Sequence, residues 1–445
     1  MQIRRLPRAN VVVRNILALA AVAGCHSSSH DEAAPDAAMS QPDASTACAS
    51  GLAGAPCVLD LYDRATAACD PTLLAQLHTE LDARAGLGPM WAAGRALFRT
   101  SAPATIAGDW QSWNATDPTT TTAPVCATDL VVVVTPVPTG LHTYKLATNA
   151  GATWSLDPGN PAFAFDGFAG NPDGRNSVLN TPDSGRGHLV ELADACSTTL
   201  GNCRHVTAYL PAAYDAPASA ALTYPVLFMH DGQNVWDDPS CCFGNGGWQV
   251  NVTLDSEIAG GTVKPIVVVA ADNTTNRNNE YGLDATTTAE FEQFQVTQLQ
   301  PQALGEVRGD GGRVYLAGSS LGGLVSMEIA LAHADVYAGV ASLSGSFWVG
   351  TDNGTALVDQ VPSIGKLPLA VYLDSGGATA DDSDSAQDTV NLRDALVTLG
   401  WQLAVSPACT AGDDALCYYL APGATHDEAA WRARAWRFLR FLFAP

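Results

Sequence analysis

The stretch RVYLAGSSLGGLVSMEIAL, Arg313 to Leu331, decides the fold. Its first part is a short apolar run typical of a buried strand, and its last part places apolar side chains on one face of a helix. Between them, the sequence 318–322 has the form G-x-S-x-G, a tight strand-to-helix turn that presents a serine at the carboxyl end of a parallel sheet. We predict that Ser320 is a nucleophile and that Ser319 points into the packing around the turn.

From about residue 187 onward, buried-strand runs alternate with amphipathic helical runs. This alternation predicts a mostly parallel, doubly wound α/β sheet over residues 187–445. The predicted strands are HVTAYLP, YPVLFMHDG, KPIVVVAAD, RVYLAGSS, VYAGVASLSG, LPLAVYLDSG and ALCYYLAPG, and the predicted helices are EFEQFQVTQLQPQAL, GGLVSMEIALAHA, DTVNLRDALVTLG and DEAAWRARAWRFLRFLF.

A serine hydroxyl needs a base, and in folds of this kind the triad runs in the chain order serine, acid, histidine. Two histidines follow Ser320. His333 ends the helix that leaves the turn, so we expect it to be a helix-end or surface residue. His426 lies in a loop after the last strand and just before the C-terminal helix, and we predict that it is the base.

The acid of such a triad belongs in the loop after the strand LPLAVYLDSG. Asp381, Asp382 and Asp384 all fit that position. We predict Asp382 first and Asp384 second, and we expect Asp374, still within the strand end, to be structural. The acid would orient His426 and stabilise the imidazolium that forms when it takes the serine proton.

An oxyanion formed at the substrate carbonyl needs two backbone amides. One is predicted to be that of Leu321, directly after the nucleophile, where the N-terminus of the new helix also favours negative charge. The second is predicted in the loop after YPVLFMHDG, from Gly232 or Gln233. His230 and Asp231 are expected to shape this loop rather than to react.

These segments together resemble a known family. YPVLFMHDGQNVWDD, AGSSLGGLVSMEIALAHADVYAGVASLSGSFW, LAVYLDSG and GATHDEAAWRARAWRFLRFLF are similar to the family of enterochelin (catecholate siderophore) esterases, feruloyl esterases and esterase-D-like enzymes, over roughly residues 187–443. The resemblance implies an α/β-hydrolase fold and serine carboxylesterase chemistry with no cofactor or metal, on a small-molecule or polysaccharide-linked ester. Phe347 and Trp348 match the aromatic segment that lines the family's pocket; core packing is the alternative.

Residues 101–182 have a different texture, with short apolar runs between Asp, Pro, Gly and Thr clusters. This pattern predicts a small immunoglobulin-like β-sandwich. IAGDWQSWNA, GLHTYKLATNAGATWSLDPGNP and GRNSVL resemble the glycogen-binding type of carbohydrate-binding module. That resemblance implies sugar contacts by Trp113, Lys145, Trp154 and Asn176; a structural or cleft-shaping role is the alternative.

Three segments precede this region. Residues 1–25 combine a basic start with an apolar run too short to span a membrane, which predicts a signal peptide. Its end, VAGC, resembles the bacterial lipobox, which implies lipidation of Cys25 and, with His26 next, anchoring to the outer membrane on its periplasmic or surface side. Residues 26–47 are predicted to form a flexible linker. Residues 48–100 carry three cysteines and a run with helical spacing, which predicts a small helical, disulfide-pinned element.

The chain of 445 residues has a formal charge of -23, which excludes nucleic acid and anionic membrane surfaces as partners beyond a lipid anchor. Ten cysteines remain after Cys25, an even number that predicts disulfides in an exported protein. Cys196–Cys203 and Cys409–Cys417 are the predicted local pairs. Cys241 and Cys242 form either a vicinal disulfide or two separate links. No two cysteines have the CxxC spacing that is typical of a metal site.

Overall fold

The computed structural model describes residues 52–445, except 169, 172–173, 352, 378–383, 385, 410–411 and 413. The predicted signal peptide, Cys25, the linker 26–47 and the acid candidates Asp381 and Asp382 lie outside the described residues. The helices are α1 (Gly54–Ala67), α2 (Pro71–Asp82), α3 (Val250–Ala259), α4 (Ala285–Phe294), α5 (Gln300–Glu306), α6 (Leu321–Ala332), α7 (Leu357–Ile364), α8 (Ala386–Thr398) and α9 (Glu428–Leu442).

The strands carry the architecture, and all seven predicted between residues 187 and 445 are present. They are β1 (Met90–Ala92), β2 (Arg95–Thr100), β3 (Thr105–Gly108), β4 (Ala123–Pro124), β5 (Val131–Pro136), β6 (Leu141–Thr148), β7 (Thr153–Ser155), β8 (Ala162–Phe165), β9 (Arg175–Asn180), β10 (His188–Ser197), β11 (Asn202–Leu210), β12 (Tyr224–Met229), β13 (Val267–Ala271), β14 (Gly309–Ser319), β15 (Tyr337–Leu343), β16 (Ala370–Gly376), β17 (Gln402–Val405) and β18 (Ala415–Ala421). None of the helices in the described residues has the length and apolar character needed to cross a bilayer.

One large mixed sheet organises the second half of the chain. Its order there is β17-β18-β16-β15-β14-β12-β13-β11-β10. From β17 to β13, each strand is parallel to the next one in this order, whereas β11 pairs antiparallel with both β13 and β10. The predicted mostly parallel α/β sheet is therefore present, with antiparallel strands at its β10–β11 side.

Helices cover both faces of this sheet. On β12, Val226 and Phe228 belong to one apolar cluster and Leu227 and Met229 to the other, because successive side chains of a strand point to opposite faces. Helix α6 contributes its apolar side chains to the first cluster and α9 to the second. This two-sided burial explains why the strands appear in the sequence as continuous apolar runs rather than alternating ones.

The front of the chain joins the same large sheet. Strands β3, β6, β7, β8 and β9 continue it beyond β10, through the pairs Leu189–Phe163 and Val190–Ala162 between β10 and β8. A second sheet, ordered β1-β2-β5-β4, takes its strands from both sides of residue 100. The immunoglobulin-like sandwich predicted for residues 101–182 stays a prediction, and these strands are continuous with the sheet of the region that follows.

The segment 48–100 is only partly the helical element that its spacing predicts. Helices α1 and α2 cover residues 54–82, but residues 90–100 form strands β1 and β2. Gly86 and Gly88 adopt positive φ and Pro89 follows, so the chain cannot continue as a helix. Strand β2 then pairs along its length with β5, and this pairing overrides the apolar spacing that suggested a longer helix.

Four disulfides join described cysteines. Cys196–Cys203 and Cys409–Cys417 confirm the two predicted local pairs. Cys241 and Cys242 bond to each other, which decides between the two alternatives left open by the sequence. The fourth, Cys69–Cys126, links the segment after α1 to the loop before β5 across 57 residues of sequence.

A partly buried carboxyl on α6 makes the stability of this fold depend on pH. Burial raises the pKa of Glu328 from 4.5 to about 7, and the nearby Glu292 carboxylate adds to the increase. The folded protein thus holds the proton more tightly than the unfolded chain, so stability falls as the pH rises from about 4.5 through 7. We expect Glu328→Gln to raise the free energy of unfolding in urea by about 1–2 kcal/mol at pH 8 and to leave it unchanged at pH 4.

The exposed Asp335, just past the end of the same helix, provides a matched control. Asp335→Asn should leave the difference in stability between pH 4 and pH 8 as it is in the wild type. A Glu328→Gln variant less stable than the wild type at pH 8 would contradict this account.

Candidate active site

The site lies along one edge of the large sheet. Ser320 follows β14, Asp384 lies in the loop after β16, and His426 lies in the loop after β18. In the sheet order these strands run β18-β16-β15-β14, and each pair along that path is parallel. Because the carboxyl ends of parallel strands meet at the same edge, the three side chains are brought to one side of the sheet.

Ser320 has the backbone of a nucleophile turn. Its φ of 56° and ψ of -128° lie outside the regions that a residue with a side chain normally adopts. Three backbone hydrogen bonds hold it there, with Ser320 N donating to Leu343 O at 3.1 Å, Ser346 N donating to Ser320 O at 3.0 Å and Leu324 N donating to Ser320 O at 3.0 Å. Ser319 is buried beside it, as expected for the neighbouring serine.

The glycines around the turn are required by close approach. A Cβ at Gly318 would overlap the backbone of Gly322, and a Cβ at Gly323 would lie 2.5 Å from Ser342 Oγ. A Cβ at Gly322 would stand 3.0 Å from Asp231 Oδ2. The G-x-S-x-G spacing therefore lets β14, α6 and the loop after β12 meet at the serine.

His426 and Asp384 are in direct contact. His426 Nδ1 lies 2.7 Å from Asp384 Oδ1, and Asp384 is only 1% exposed. The other carboxylate oxygen, Oδ2, accepts a hydrogen bond from Ser344 Oγ at 2.7 Å and another from Gly376 N. The acid in contact with His426 is thus our second candidate, Asp384.

The contacts of His426 show which of its ring nitrogens is available to accept a proton. Its Nδ1–H donates to Asp384, so Nε2 carries the lone pair that can take a proton from a serine. About a third of the His426 side chain is exposed, and its ring stands edge-on to Trp431 with the centroids 5.1 Å apart. Asp427 caps α9 by accepting from Ala430 N at 2.9 Å, which fixes the loop that holds the histidine.

The two predicted sources of oxyanion amides follow adjacent parallel strands, β14 and β12. Leu321 is the first residue of α6, and Gly232 begins a short 3-10 turn, Gly232–Asn234, directly after the extension of β12. His230 N donates to Ala317 O at 3.0 Å, so the loop after β12 runs beside the serine turn. A Cβ at Gly232 would lie 2.6 Å from the Ala271 carbonyl carbon, which explains the glycine there.

His230 and Asp231 have structural partners, as expected. Asp231 forms a two-pronged ion pair with Arg277, with both N–O distances 2.6 Å. His230 Nδ1 lies 2.8 Å from Ser326 Oγ on α6, and burial lowers the pKa of His230 to about 4. Both residues tie the loop after β12 to its surroundings.

The segment after β15 supplies further contacts to the serine. Ser346 Oγ lies 3.3 Å from Ser320 Oγ. Phe347 is 1% exposed and belongs to the apolar core, whereas Trp348 is 48% exposed. Both aromatic residues were matched to a pocket lining, with core packing as the alternative. Phe347 has the core position, whereas the exposed side chain of Trp348 is accessible to a substrate.

Three buried residues next to the acid were not singled out from the sequence. Ser344, Trp431 and Arg434 meet at one hydroxyl, because Trp431 Nε1 and Arg434 Nη2 lie 3.0 and 2.6 Å from Ser344 Oγ. Trp431 and Arg434 lie three residues apart on α9. This spacing indicates that they share a helix face, but it does not indicate which residue that face contacts.

The expected surface histidine His333 pairs with Glu292 at 2.8 Å, in agreement with its helix-end position.

The four residues matched to sugar contacts form two separate pairs. Trp113 and Trp154 have their ring centroids 6.4 Å apart, and Trp154 is 39% exposed. Lys145 and Asn176 are buried on adjacent strands, where both contact Asn171. The exposed indole of Trp154 is available for stacking on a sugar ring, whereas Trp113 is part-buried and the lysine and asparagine support the loop that carries Asn171.

The arrangement defines a class of protein. A serine on a strained strand-to-helix turn and a histidine held by a buried aspartate, at the carboxyl edge of a mostly parallel sheet, are the parts of an α/β-hydrolase-type site. Among the described residues, no group of three or more His, Cys, Asp or Glu side chains is placed to hold a metal ion.

Comparison with known families gives the same answer. The profile of the family described as "Putative esterase" matches residues 197–441, more than half of the 445-residue chain. The chain belongs to this esterase family and is accordingly a carboxylic ester hydrolase. The match confirms the resemblance noted for residues 187–443 of the sequence.

Solved structures similar to the chain include three esterases. A ferulic acid esterase is 19% identical with a TM-score of 0.45, covering 58% of this chain and 98% of its own. The enterobactin esterase of Shigella flexneri is 17% identical with a TM-score of 0.43, covering 80% and 96%. The ferric enterobactin esterase of Salmonella typhimurium is 19% identical with a TM-score of 0.42, also covering 80% and 96%.

The choice between the acid candidates can be tested directly. We expect Asp384→Asn to lower kcat by about three to four orders of magnitude, because the amide no longer stabilises the imidazolium. Asp382→Asn, two residues away in the same loop, is the matched variant and should keep kcat near the wild-type value. Steady-state hydrolysis of p-nitrophenyl acetate measures both. The reverse ranking would assign the acid to Asp382.

Proposed function

We propose that the chain is an exported, lipid-anchored serine esterase that works through Ser320, His426 and Asp384. The 2.7 Å contact between His426 Nδ1 and the buried Asp384 carries the proposal, since it orients the imidazole with Nε2 available. Ser320, on its strained turn at the same sheet edge, supplies the hydroxyl. Membership of the esterase family supports the same chemistry.

The reaction proceeds in two halves. His426 Nε2 takes the proton as Ser320 Oγ bonds to the ester carbonyl carbon, and the amides of Leu321 and of Gly232 or Gln233 stabilise the oxyanion. The imidazolium, held by Asp384, then gives its proton to the leaving alkoxide, and the acyl-enzyme remains. Water, deprotonated by His426, attacks the acyl carbon, and the acid product leaves as the Ser320 hydroxyl is restored.

The proposed substrates are feruloyl- or acetyl-type esters of polysaccharides. The exposed Trp348 next to the serine turn offers a flat apolar surface to an aromatic acyl group. The exposed Trp154 on β7, with the part-buried Trp113 beside it, offers a second flat surface for sugar rings. A siderophore ester of catecholate and serine is the alternative substrate, since it too presents an aromatic acyl group.

The proposed location is the outer membrane, reached through lipidation of Cys25. Disulfides among the described cysteines suit an oxidising compartment. The lipid would be the only contact with the membrane, because the strongly negative chain is repelled by anionic lipid surfaces.

The proposed chemistry is tested with a panel of esters and protein that lacks residues 1–47. We expect turnover of feruloyl or acetylated xylan esters to exceed that of a catecholate–serine ester, with short p-nitrophenyl esters as a general reference. Ser320→Ala should abolish hydrolysis of all of them and keep the circular dichroism spectrum, while Ser319→Ala is the matched control that retains activity. Full activity of Ser320→Ala would refute the assignment.

A second candidate function, beside ester hydrolysis, is glycan binding, and it is favoured by the contact between the part-buried Trp113 and the exposed Trp154. We expect Trp154→Ala to weaken retention on insoluble glycans and to leave p-nitrophenyl acetate hydrolysis unchanged, because the indole surface is lost but the triad is not. Trp348→Ala provides the comparison in which glycan retention is kept. Equal retention by Trp154→Ala and the wild type would remove the sugar-contact role.

A further inference from the structure

The hydroxyl of Ser344 stands at the centre of a buried network beside the acid. Ser344 is 1% exposed and follows β15 directly. Its Oγ lies 2.7 Å from Asp384 Oδ2, 2.6 Å from Arg434 Nη2 and 3.0 Å from Trp431 Nε1. One hydroxyl therefore links the carboxylate that holds His426 to two side chains of α9.

The chemistry of these neighbours fixes the direction of each hydrogen bond. The Trp431 indole N–H and the Arg434 guanidinium N–H can only donate, so they occupy the two acceptor lone pairs of the hydroxyl. The single O–H proton of Ser344 is then left with one target, Asp384 Oδ2. Ser344 is consequently a fixed donor to the acid, whereas an ordinary serine hydroxyl is free to rotate.

This donor shares Asp384 Oδ2 with the backbone N–H of Gly376. With both of these donors on Oδ2, Oδ1 faces His426 Nδ1. A carboxylate held from both sides in this way cannot rotate without breaking charge-assisted hydrogen bonds, which are among the stronger ones in proteins. The orientation of the imidazole is thus set by groups on the far side of the acid.

Arg434 also supplies the positive charge of the network. Its Nε lies 3.0 Å from Oδ1 of Asp374, although the N–H is not aligned for a hydrogen bond, and Tyr372 Oη donates to the other oxygen of Asp374 at 3.0 Å. Burial raises the pKa of Asp374 to about 6, while the guanidinium opposes that increase. Arg434 accordingly stands between two buried carboxylates, and Asp374 holds it in the position from which Nη2 reaches Ser344.

We propose that Ser344 and Arg434 are positioning residues for ester hydrolysis, which fix the carboxylate of Asp384 so that it aligns His426 with Ser320. This inference rests on the proposed triad. Neither residue touches the substrate or the reacting atoms, so their loss should slow the chemical step and leave substrate binding unchanged. Helix α9 would then have two tasks, since it begins directly after the base and supplies Trp431 and Arg434 to the partner of its acid.

The test compares Ser344→Ala and Ser344→Gly with Ser342→Ala on the whole chain. Ser344 has φ of 49°, which glycine tolerates better than alanine, so the pair separates loss of the hydroxyl from backbone strain. Ser342 is the matched control, because it is equally buried on β15 and its Oγ has no hydrogen-bond partner among the described residues.

We expect both Ser344 variants to lower kcat for p-nitrophenyl acetate about 10- to 100-fold with KM unchanged, and Ser342→Ala to match the wild type. The low-field proton NMR signal of the His426–Asp384 hydrogen bond should weaken or shift in both Ser344 variants and stay in the control. Arg434→Lys, which keeps the charge, should retain more kcat than Arg434→Met.

Three results would overturn the inference. They are an unchanged kcat and low-field signal in folded Ser344→Gly, a rise in KM without a fall in kcat, or equal kcat in Arg434→Lys and Arg434→Met. Thermal melting identifies any Ser344→Ala protein that fails to fold, in which case Ser344→Gly decides. Failure of the proposed function is distinguished by Ser320→Ala and Asp384→Asn, since unchanged kcat in those variants removes the triad itself.

Discussion

Ser320 must hold a backbone conformation that most residues with a side chain avoid, and much of the site is arranged to keep it there. A φ of 56° with ψ of -128° costs about 1–3 kcal/mol, and such a conformation persists only where the surroundings enforce it. The enforcement comes from hydrogen bonds to Leu343, Ser346 and Leu324 and from glycines that admit neighbouring backbone. Strand β14, helix α6 and the segment after β15 each contribute, so the conformation of Ser320 depends on the whole local packing.

At the same edge of the sheet, ionisable groups lie one behind another from the surface inward. The imidazole of His426 is partly exposed, the acid behind it is buried, and the network behind the acid ends at Arg434, which is also buried. A buried carboxylate is stable only when donors and opposite charge surround it, and these groups meet both needs. Polar groups that cannot reach water therefore determine how the groups nearest the substrate are aligned.

The α/β order of the second half could be predicted from sequence, because continuous apolar strands and amphipathic helices leave clear patterns and the turn at Ser320 marks a specific join. His426 could be singled out as the predicted base by chain order together with its loop position, because His333, the other histidine after Ser320, ends a helix. The predicted acid could not be identified in this way, because four aspartates between residues 374 and 384 satisfy the same chain-order rule. Only the geometry of the loop distinguishes them. Asp384 contacts His426, although the sequence had favoured Asp382.

Other features could not be predicted from the sequence, for related reasons. Ser344 and Arg434 lie 90 residues apart and meet only through tertiary packing, so no local spacing announces them. Residues 90–100 form strands because β5 pairs with β2, a partner that the local pattern cannot reveal. The vicinal bond between Cys241 and Cys242 was one of two chemically reasonable pairings, and the choice belongs to the fold of the loop.

The pairing of β8 with β10 has a consequence for how the two halves of the protein can be separated. Strand β10 would become the outermost strand of the esterase sheet if the front strands were removed, and its N–H and C=O groups toward β8 would lose their partners. Exposed edges of this kind invite pairing with other chains. The front region therefore acts as a cover for the sheet, and a catalytic half made alone would be prone to self-association even with every catalytic residue in place.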